Sequence, residues 1–567
     1  MSDPEHKDDD VIRRLDLIKN HLGPKNSLSS VDEAYEKSEW KDILDTVKGR
    51  RNKNREPDNN NHGYVRQKTQ GKLWVRERII ALVDKQTFRE IGSTAGNAKY
   101  DEKGNALDYN PANFISGTAK VNQRDVVIAA DDFSIRAGHA DGAVWGKSLY
   151  TEQLARKLKI PLIRLIDGSS GGGSVTLALK NGTYLPPLIG MHDSIASLSE
   201  IPVVAAALGP TVGLGAARAT LTHFSVMAGK VGSLFAAGPP VVANATYETV
   251  TKQELGGALL HTSNGTIDNL VETEEECFEQ IRQFLSYLPN NTSSLPPRGP
   301  QNDIADRCDD KLLDIIPKRR QRSYQVRDIL ELVLDQGSWF EIGERWGEGA
   351  VCGFGRLNGY AVGILAFDCS KTGSVISTAG SQKFRRHIDL CEVFGLPIVN
   401  FADYAGFTIG TKAEKEAYVY FCTIRHGSTL IAALYQGDVP YFSVVLRKVF
   451  GVAGAAFVDN RIPNMRVAWP SGDWGSLPLE GGIYAAYKRE LDAAGENRNK
   501  LYDSILAQFE AVRSPVRTAE NFDIPEIIDP RHTRPILCDW VRLMYENILP
   551  GRLEKVKVNG PKILYRP

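Results

Sequence analysis

The sequence predicts an α/β protein built as a tandem duplication of one domain. Three observations carry that prediction. First, two long stretches read alike at constant spacing. Gly117 and Gly353, Asp132 and Asp368, and Asp167 and Asp403 are each 236 residues apart. Pro202 and Pro440, like Gly213 and Gly451, are 238 apart. Second, in each stretch apolar runs of strand length alternate with segments apolar at helical spacing, the pattern of buried strands between helices. Third, LPNNTSSLPPRGPQND (Leu288–Asp303) has the Pro-, Asn- and Ser-rich composition of a connection between domains. A repeat this long is a duplicated domain and not a solenoid unit. The expected division is an N-terminal extension over 1–60, a first domain over 61–300 and a second over 301–567.

The elements follow in the same order in both copies. A helical pattern opens each: RERIIALVDKQT (Arg76–Thr87) and VRDILELVLDQGSW (Val326–Trp339). FREIG (Phe88–Gly92) and FEIG (Phe340–Gly343) come next. Two hairpin-like strands follow, in which Asn122 matches Asn358. A helix comes after them, TEQLARKLKI from Thr151 or HIDLCEVFGL from His387. It leads through proline into an apolar strand, PLIRLID (Pro161–Asp167) or PIVNFAD (Pro397–Asp403). A Gly-rich turn, a helix, a second apolar strand and a second Gly-rich turn complete the copy. Ligands of such folds sit beyond the strand ends, where these turns lie.

The turns are the candidate sites. In the first copy they are SSGGGS (Ser169–Ser174), with Gly171, Gly172 and Gly173, and TVGLGAA (Thr211–Ala217), with Gly213, Gly215 and Ala216. In the second they are DYAGFTIG, with Asp403, Gly406 and Phe407, and FGVAGAA, with Gly451, Val452, Ala453, Gly454 and Ala455. Each is expected to open a helix, where backbone N–H groups point outward with partial positive charge. Such donors suit a phosphate or a developing oxyanion. Glycine also serves a tight turn with no ligand, but four turns in duplicated register point to donors. The phosphate-loop motif G-x-x-x-x-G-K-[ST] is missing, and no G-x-G-x-x-G with a later carboxylate stands at these turns. The G-x-S-x-G of a nucleophilic serine is missing too. His139 and His426 stand alone, and no Cys/His cluster calls for a metal.

Composition narrows the partners. Equal numbers of basic and acidic side chains, 69 of each, give no net charge, which argues against nucleic acid. The basic runs Lys48–Arg55 and Pro317–Arg322 read as solvated linkers. The seven cysteines show no C-x-x-C spacing, and several lie in apolar runs, as in a reducing compartment. The start, MSDPEHKDDD, has neither the apolar core of a secretory signal nor the basic, Ser-rich character of a transit peptide. No stretch has the length and apolarity of a membrane span. A cytoplasmic place is expected, with the mitochondrial matrix as the alternative.

Several segments together carry a family resemblance. They are GKLWVRERIIALVDKQTFREIG from Gly71, FAAGPPVV from Phe235, TKQELGGALLHTSNG from Thr251, IRHGSTLIAAL from Ile424 and RKVFG from Arg447. From about Gly71 to Gly475 the chain resembles the carboxyltransferase (β) subunits of biotin-dependent acyl-CoA carboxylases, of the propionyl-CoA and 3-methylcrotonyl-CoA type. The last two segments lean to the propionyl type. The resemblance implies a tandem of crotonase-like domains. It implies that carboxybiotin, carried by a partner, gives up carbon dioxide to the enolate of an acyl-CoA, with backbone donors holding charge on both oxygens. Gly171 and Gly172 would then face the thioester oxygen, with Gly173, Gly213, Gly215 and Ala216 around the acyl-CoA. Val452 and Ala453 would face the biotin ureido oxygen, with Asp403, Gly406, Phe407, Gly451, Gly454 and Ala455 around it. No metal is implied. The implied assembly is a homo-oligomer, usually a hexamer, bound to biotin carboxylase and biotin carrier (α) subunits, because this chain has no M-K-M biotinylation motif. The chain departs from the family at DGSSGGGS, which is two residues longer than D-S-G-G-A, at Val452 for glycine, at Ala455 for an acid, and at SLPLEGG from Ser476. A 3-methylcrotonyl-CoA carboxylase subunit, a decarboxylase-type carboxyltransferase and an inactive structural paralogue are the other readings of the same resemblance.

Overall fold

The computed structural model describes residues 34–139, 142–169, 179, 182–183, 185, 188, 190–411 and 423–567. The chain divides into two compact units. The first runs to Thr262 and adds Asn269–Leu285 and Pro567; the second is Ser263–Asp268 with Ser286–Arg566.

In the first unit the strands are β1 (Arg89–Ile91), β2 (Gly96–Tyr100), β3 (Ala106–Pro111), β4 (Phe114–Val121), β5 (Arg124–Asp131), β6 (Leu162–Ser169), β7 (Val203–Val212), β8 (Phe224–Ala228), β9 (Ser233–Phe235) and β10 (Asn269–Val271). One sheet has the order β1-β4-β5-β6-β7-β8-β10, with β9 on β7, and β2 and β3 pair separately. In the second unit they are β11 (Phe340–Glu341), β12 (Ala350–Leu357), β13 (Tyr360–Phe367), β14 (Val375–Ile376), β15 (Ile398–Tyr404), β16 (Gly406–Phe407), β17 (Tyr441–Phe450), β18 (Met465–Ala468) and β19 (Asp473–Gly475). Here the sheet order is β11-β12-β13-β15-β17-β18, with β19 on β17.

The duplication read from the sequence extends to strand register. Val127 pairs with Leu162 in parallel, and Gly363 with Ile398. Leu162 pairs with Val203, and Ile398 with Tyr441. These partners stand at the same offsets that align the two copies. Even the hairpin turn is duplicated. Asn122 and Gln123, and Asn358 and Gly359, have positive φ, as a two-residue hairpin connection requires. In the first unit the Asn122 and Gln123 N–H groups donate to Asp84 at 3.0 and 2.6 Å. In the second the Asn358 and Gly359 N–H groups donate to Asp335 at 2.9 and 2.7 Å.

The central strands are apolar on both faces because helices cover them. Val126–Ala130 of β5 and Val203–Leu208 of β7 are buried throughout. The predicted helices form at Trp145–Leu158 and Thr378–Phe394. The second is capped by Ser377, whose Oγ accepts from the Gly380 N–H, and it ends at Gly395 with φ of 69°. Among the described residues no helix is long and apolar enough to cross a membrane.

The helix Thr378–Phe394 carries a pH-dependent weakness. Burial pushes the Asp389 carboxyl up to about 6; Arg385 at 3.7 Å opposes this and Glu392 adds to it. Between about pH 4 and 6 the folded protein therefore holds this proton more tightly than the unfolded chain, so stability falls as pH rises through that window. Asp389→Asn is expected to raise stability at pH 7 by about 1–2 kcal/mol, allowing for the ion pair it gives up. Urea melts at pH 7 and pH 4 check this: the gain should vanish at the lower pH, and an equal gain at both would remove the carboxyl as its cause.

Candidate active site

The site in the first unit is built where β6 ends. Asp167 is fully buried. Its Oδ2 accepts from Lys72 Nζ at 2.5 Å, Arg78 Nη1 at 2.8 Å and Gln67 Nε2 at 3.3 Å. Arg78 also donates to Glu274 at 2.7 Å and to the Leu208 carbonyl at 3.0 Å. The Leu73 N–H donates to the other Glu274 oxygen at 2.6 Å. Two cations and two anions thus share one buried cluster. Burial pushes the Lys72 ammonium down, against the pull of Asp167, and pushes the Glu274 carboxyl up, against Arg78. Gly209 has to be glycine here: a Cβ would lie 1.9 Å from Asp167 Oδ1 and 2.4 Å from Lys72 Nζ. The cluster holds the end of β6, where Gly168 lies.

Gly168 lines a cavity of about 90 Å³ together with Gly138, Leu214 and Gly215. The second predicted turn opens a helix, Leu214–Thr220, with Gly213 at its N-cap and no side-chain cap. The Gly213 N–H is taken by the Phe235 carbonyl at 3.1 Å. Gly215 lets the helix sit close to β7, since a Cβ would lie 2.9 Å from Thr211 Cγ2. Ala216 follows it in the first helical turn. Gly171, Gly172 and Gly173 lie outside the described residues.

Sequence reasoning missed the charged side chains of this cavity. Asp131 at the end of β5, Glu152 on the helix Trp145–Leu158 and Arg218 on the helix Leu214–Thr220 all line it. Arg218 reaches Asp131 at 3.5 Å and Glu152 at 4.0 Å. Glu152 is more tightly bound to the buried Arg164, at 3.1 and 2.8 Å. Burial pushes the Asp131 carboxyl up, with Arg218 opposing. The available signal was the offset itself, because the second copy has Phe367 in place of Asp131 and Ala456 in place of Arg218.

In the second unit Asp403 occupies the position of Asp167 and is equally buried. Its Oδ2 accepts from Tyr324 Oη at 2.9 Å and Arg447 Nη2 at 3.0 Å, and its Oδ1 from the Lys448 N–H at 3.1 Å. Burial, then the neighbouring Asp403 carboxylate, pushes the Tyr324 phenol well above its ordinary value. The Asp403 carboxylate thus faces inward and anchors the turn. Gly406 and Phe407 lie within the turn DYAGFTIG, and Thr411, the first residue after it, is helical. Gly406 and Phe407 form β16, paired in parallel with β14, and the Ala405 and Thr408 N–H groups donate to the Ser374 and Ile376 carbonyls at 2.7 and 3.0 Å.

The remaining turn does open a helix, Gly451–Val458, directly from the end of β17. Gly451 has φ of 59°. Val452 has negative φ inside the helix, so the change from glycine keeps its N–H in the first turn, where no intrahelical acceptor exists. Its side chain is 69% exposed, while Ala453 beside it is buried. Gly454 permits contact between helix and strand, because a Cβ would lie 2.8 Å from the Val449 carbonyl carbon. Ala455 is exposed on the same helix. A cyclic urea fits such a turn, which offers amide donors, an apolar Val452 flank and no competing side-chain cap.

The two sheets, each with a helix opening at the end of its long central strand, are two copies of one α/β architecture. The chain belongs to the carboxyl transferase domain family, whose model matches residues 66–554, and is of the biotin-dependent acyl-CoA carboxylase carboxyltransferase type. It is 30% identical over 482 residues to the propionyl-CoA carboxylase carboxyltransferase subunit of Haloferax mediterranei, covering 84% of this chain and 91% of that one. It is 26% identical over 482 residues to a methylmalonyl-CoA decarboxylase subunit alpha of Veillonella parvula, covering 84% and 91%. The fold is that of transcarboxylase 12S, solved as a hexamer with methylmalonyl-CoA and methylmalonic acid bound. The TM-score is 0.77 at 24% identity, over 93% of this chain and 97% of that one.

Proposed function

We propose that this chain moves a carboxyl group from carboxybiotin on a partner subunit to the α-carbon of a short saturated acyl-CoA, with propionyl-CoA the favoured substrate. The observation that carries the reading is the pairing of a small cavity beside the first unit's strand-end turn with a helix-opening turn of matching origin in the second. Carboxybiotin, when bound, supplies the carboxyl group. Val452 and Ala453 would hold the ureido oxygen by their N–H groups, and Gly171 and Gly172, which lie outside the described residues, would serve the thioester oxygen. Preorganised donors of this kind are worth about 3–4 kcal/mol each where charge develops. The likeness to the propionyl-CoA subunit of Haloferax mediterranei supports the acyl preference. A biotin carboxylase and biotin carrier subunit is the partner, in a homo-oligomer that the hexameric fold relative favours.

The Veillonella parvula relative favours a second reading, in which the same transfer runs from a carboxylated thioester towards biotin. Fixation of labelled bicarbonate by the full complex tests both. With acetyl-, propionyl-, butyryl- and 3-methylcrotonyl-CoA, the expected order has propionyl-CoA first. Neighbouring chain lengths should follow within about 10–200-fold, as one methylene allows. Exclusive carboxylation of 3-methylcrotonyl-CoA would overturn the acyl preference. Loss of label from methylmalonyl-CoA with no forward fixation would establish the reverse reading.

A further inference from the structure

The two copies differ at three positions that the duplication aligns. At the duplication offset Asp131, Ser148 and Gly168 of the first copy correspond to Phe367, Phe384 and Tyr404 of the second. In the first unit those three residues line the cavity. In the second, the three rings are buried and stand 6.0–6.4 Å apart. Phe457 closes the cluster at 4.1 Å from Tyr404 and 5.2 Å from Phe384. The same space is thus filled by aromatic packing in one copy and left as a charged cavity in the other. A charged cavity forgoes the burial that the rings obtain, so its polar lining points to a ligand.

We infer that Arg218 recognises a carboxylate on the acyl group of the CoA thioester held in this cavity. The inference rests on the function proposed above and adds the chemical class of the acyl group. Arg218 is 16% exposed. Its contacts with Asp131 and Glu152, at 3.5 and 4.0 Å, are too long for a closed bidentate pair. Glu152 is already satisfied by Arg164, which also holds the Arg218 and Leu221 carbonyls at 3.2 and 2.8 Å. The guanidinium is therefore placed by a rigid neighbour while its own carboxylate contacts stay loose. Asn113, Ser148 and Ser194 add polar lining, and Phe114, Trp145 and Met191 supply apolar wall for the rest of the acyl chain. The carboxylate has two sources: the carboxyl group that transfer installs at the α-carbon, or a distal carboxylate already present in a dicarboxylic acyl group.

Titration calorimetry on the full chain separates them, with malonyl-, methylmalonyl- and glutaryl-CoA against propionyl-, butyryl- and valeryl-CoA. In the wild type the carboxylated members should bind more tightly than their uncharged counterparts. In Arg218→Gln that preference should shrink by about tenfold or more, as loss of a charge-assisted contact implies, with Arg218→Lys between. A shift confined to malonyl- and methylmalonyl-CoA assigns the installed carboxyl; one confined to glutaryl-CoA assigns a distal carboxylate. Equal weakening of all six by Arg218→Gln overturns the inference. Should Arg218→Gln not fold, a wild type that binds propionyl-CoA as tightly as malonyl-CoA overturns it equally. If no thioester binds at all, the proposed function fails with it, whereas thioesters bound without discrimination remove only the role of Arg218.

Discussion

Asp167→Ala is expected to destabilise the first unit by about 3–5 kcal/mol, because it leaves Lys72 and Arg78 buried against a single remaining carboxylate. Asp167 is fully buried and the two cations are buried with it, 2% and 0% exposed. The cost arises from an uncompensated charge more than from the lost contact. At about 2–4 °C per kcal/mol for a unit of this size, the first thermal transition should fall by roughly 6–20 °C. Calorimetry and guanidinium melts measure it. Adding Lys72→Met to Asp167→Ala should restore part of the loss, since the cation that lost its partner is removed and Arg78 keeps Glu274. A single variant within 1 kcal/mol of wild type, or strict additivity in the double, would show that the cluster does not hold the strand end.

Gly454→Ala should cost activity more than stability. Its added methyl meets backbone, with Val449 C at 2.8 Å and Cα at 3.1 Å, so no side chain can yield. The helix Gly451–Val458 must move away from β17, carrying the Val452 and Ala453 N–H groups with it. A displacement near 1 Å in a positioning element costs on the order of a hundredfold in rate, comparable to losing one oxyanion donor. Carboxyl exchange with free biotin reads the rate, and circular dichroism reads the fold. Gly481→Ala is the control, for its Cβ position has nothing within 4 Å and alanine suits a helix better than glycine. Exchange within about threefold of wild type in Gly454→Ala would mean that this turn is not where charge is stabilised.

Much of this was legible in the chain. The constant offset predicts both sheets, and the registers Val127–Leu162 and Gly363–Ile398 obey it. Apolar periodicity placed the helices Trp145–Leu158 and Thr378–Phe394 because each is long and covers a buried strand. The pairing of Gly406 and Phe407 with β14 is not legible, because β14 is a two-residue partner some thirty positions earlier with no periodic signal of its own. The partners of the buried aspartates escaped for a related reason. Lys72 and Arg78 lie about ninety residues before Asp167, and Arg447 more than forty after Asp403, so only folding makes them neighbours. Glycines announce a turn by type, but charged side chains at a cavity wall look locally like any solvated helix face, as Arg218 does in GAARAT.

The aromatic cluster of Phe367, Phe384, Tyr404 and Phe457 makes the chain its own record of divergence. A gene that doubles such a domain frees one half from the need to keep an opening. In that half the volume of the opening belongs to the core, so the same space gives cohesion on one side of the repeat and access on the other. The filled half shows that aromatic rings at three positions close the space on a backbone of the same plan. Descendants of such a duplication carry an inheritance in which specialisation is stored as volume, open on one side of the repeat and occupied on the other.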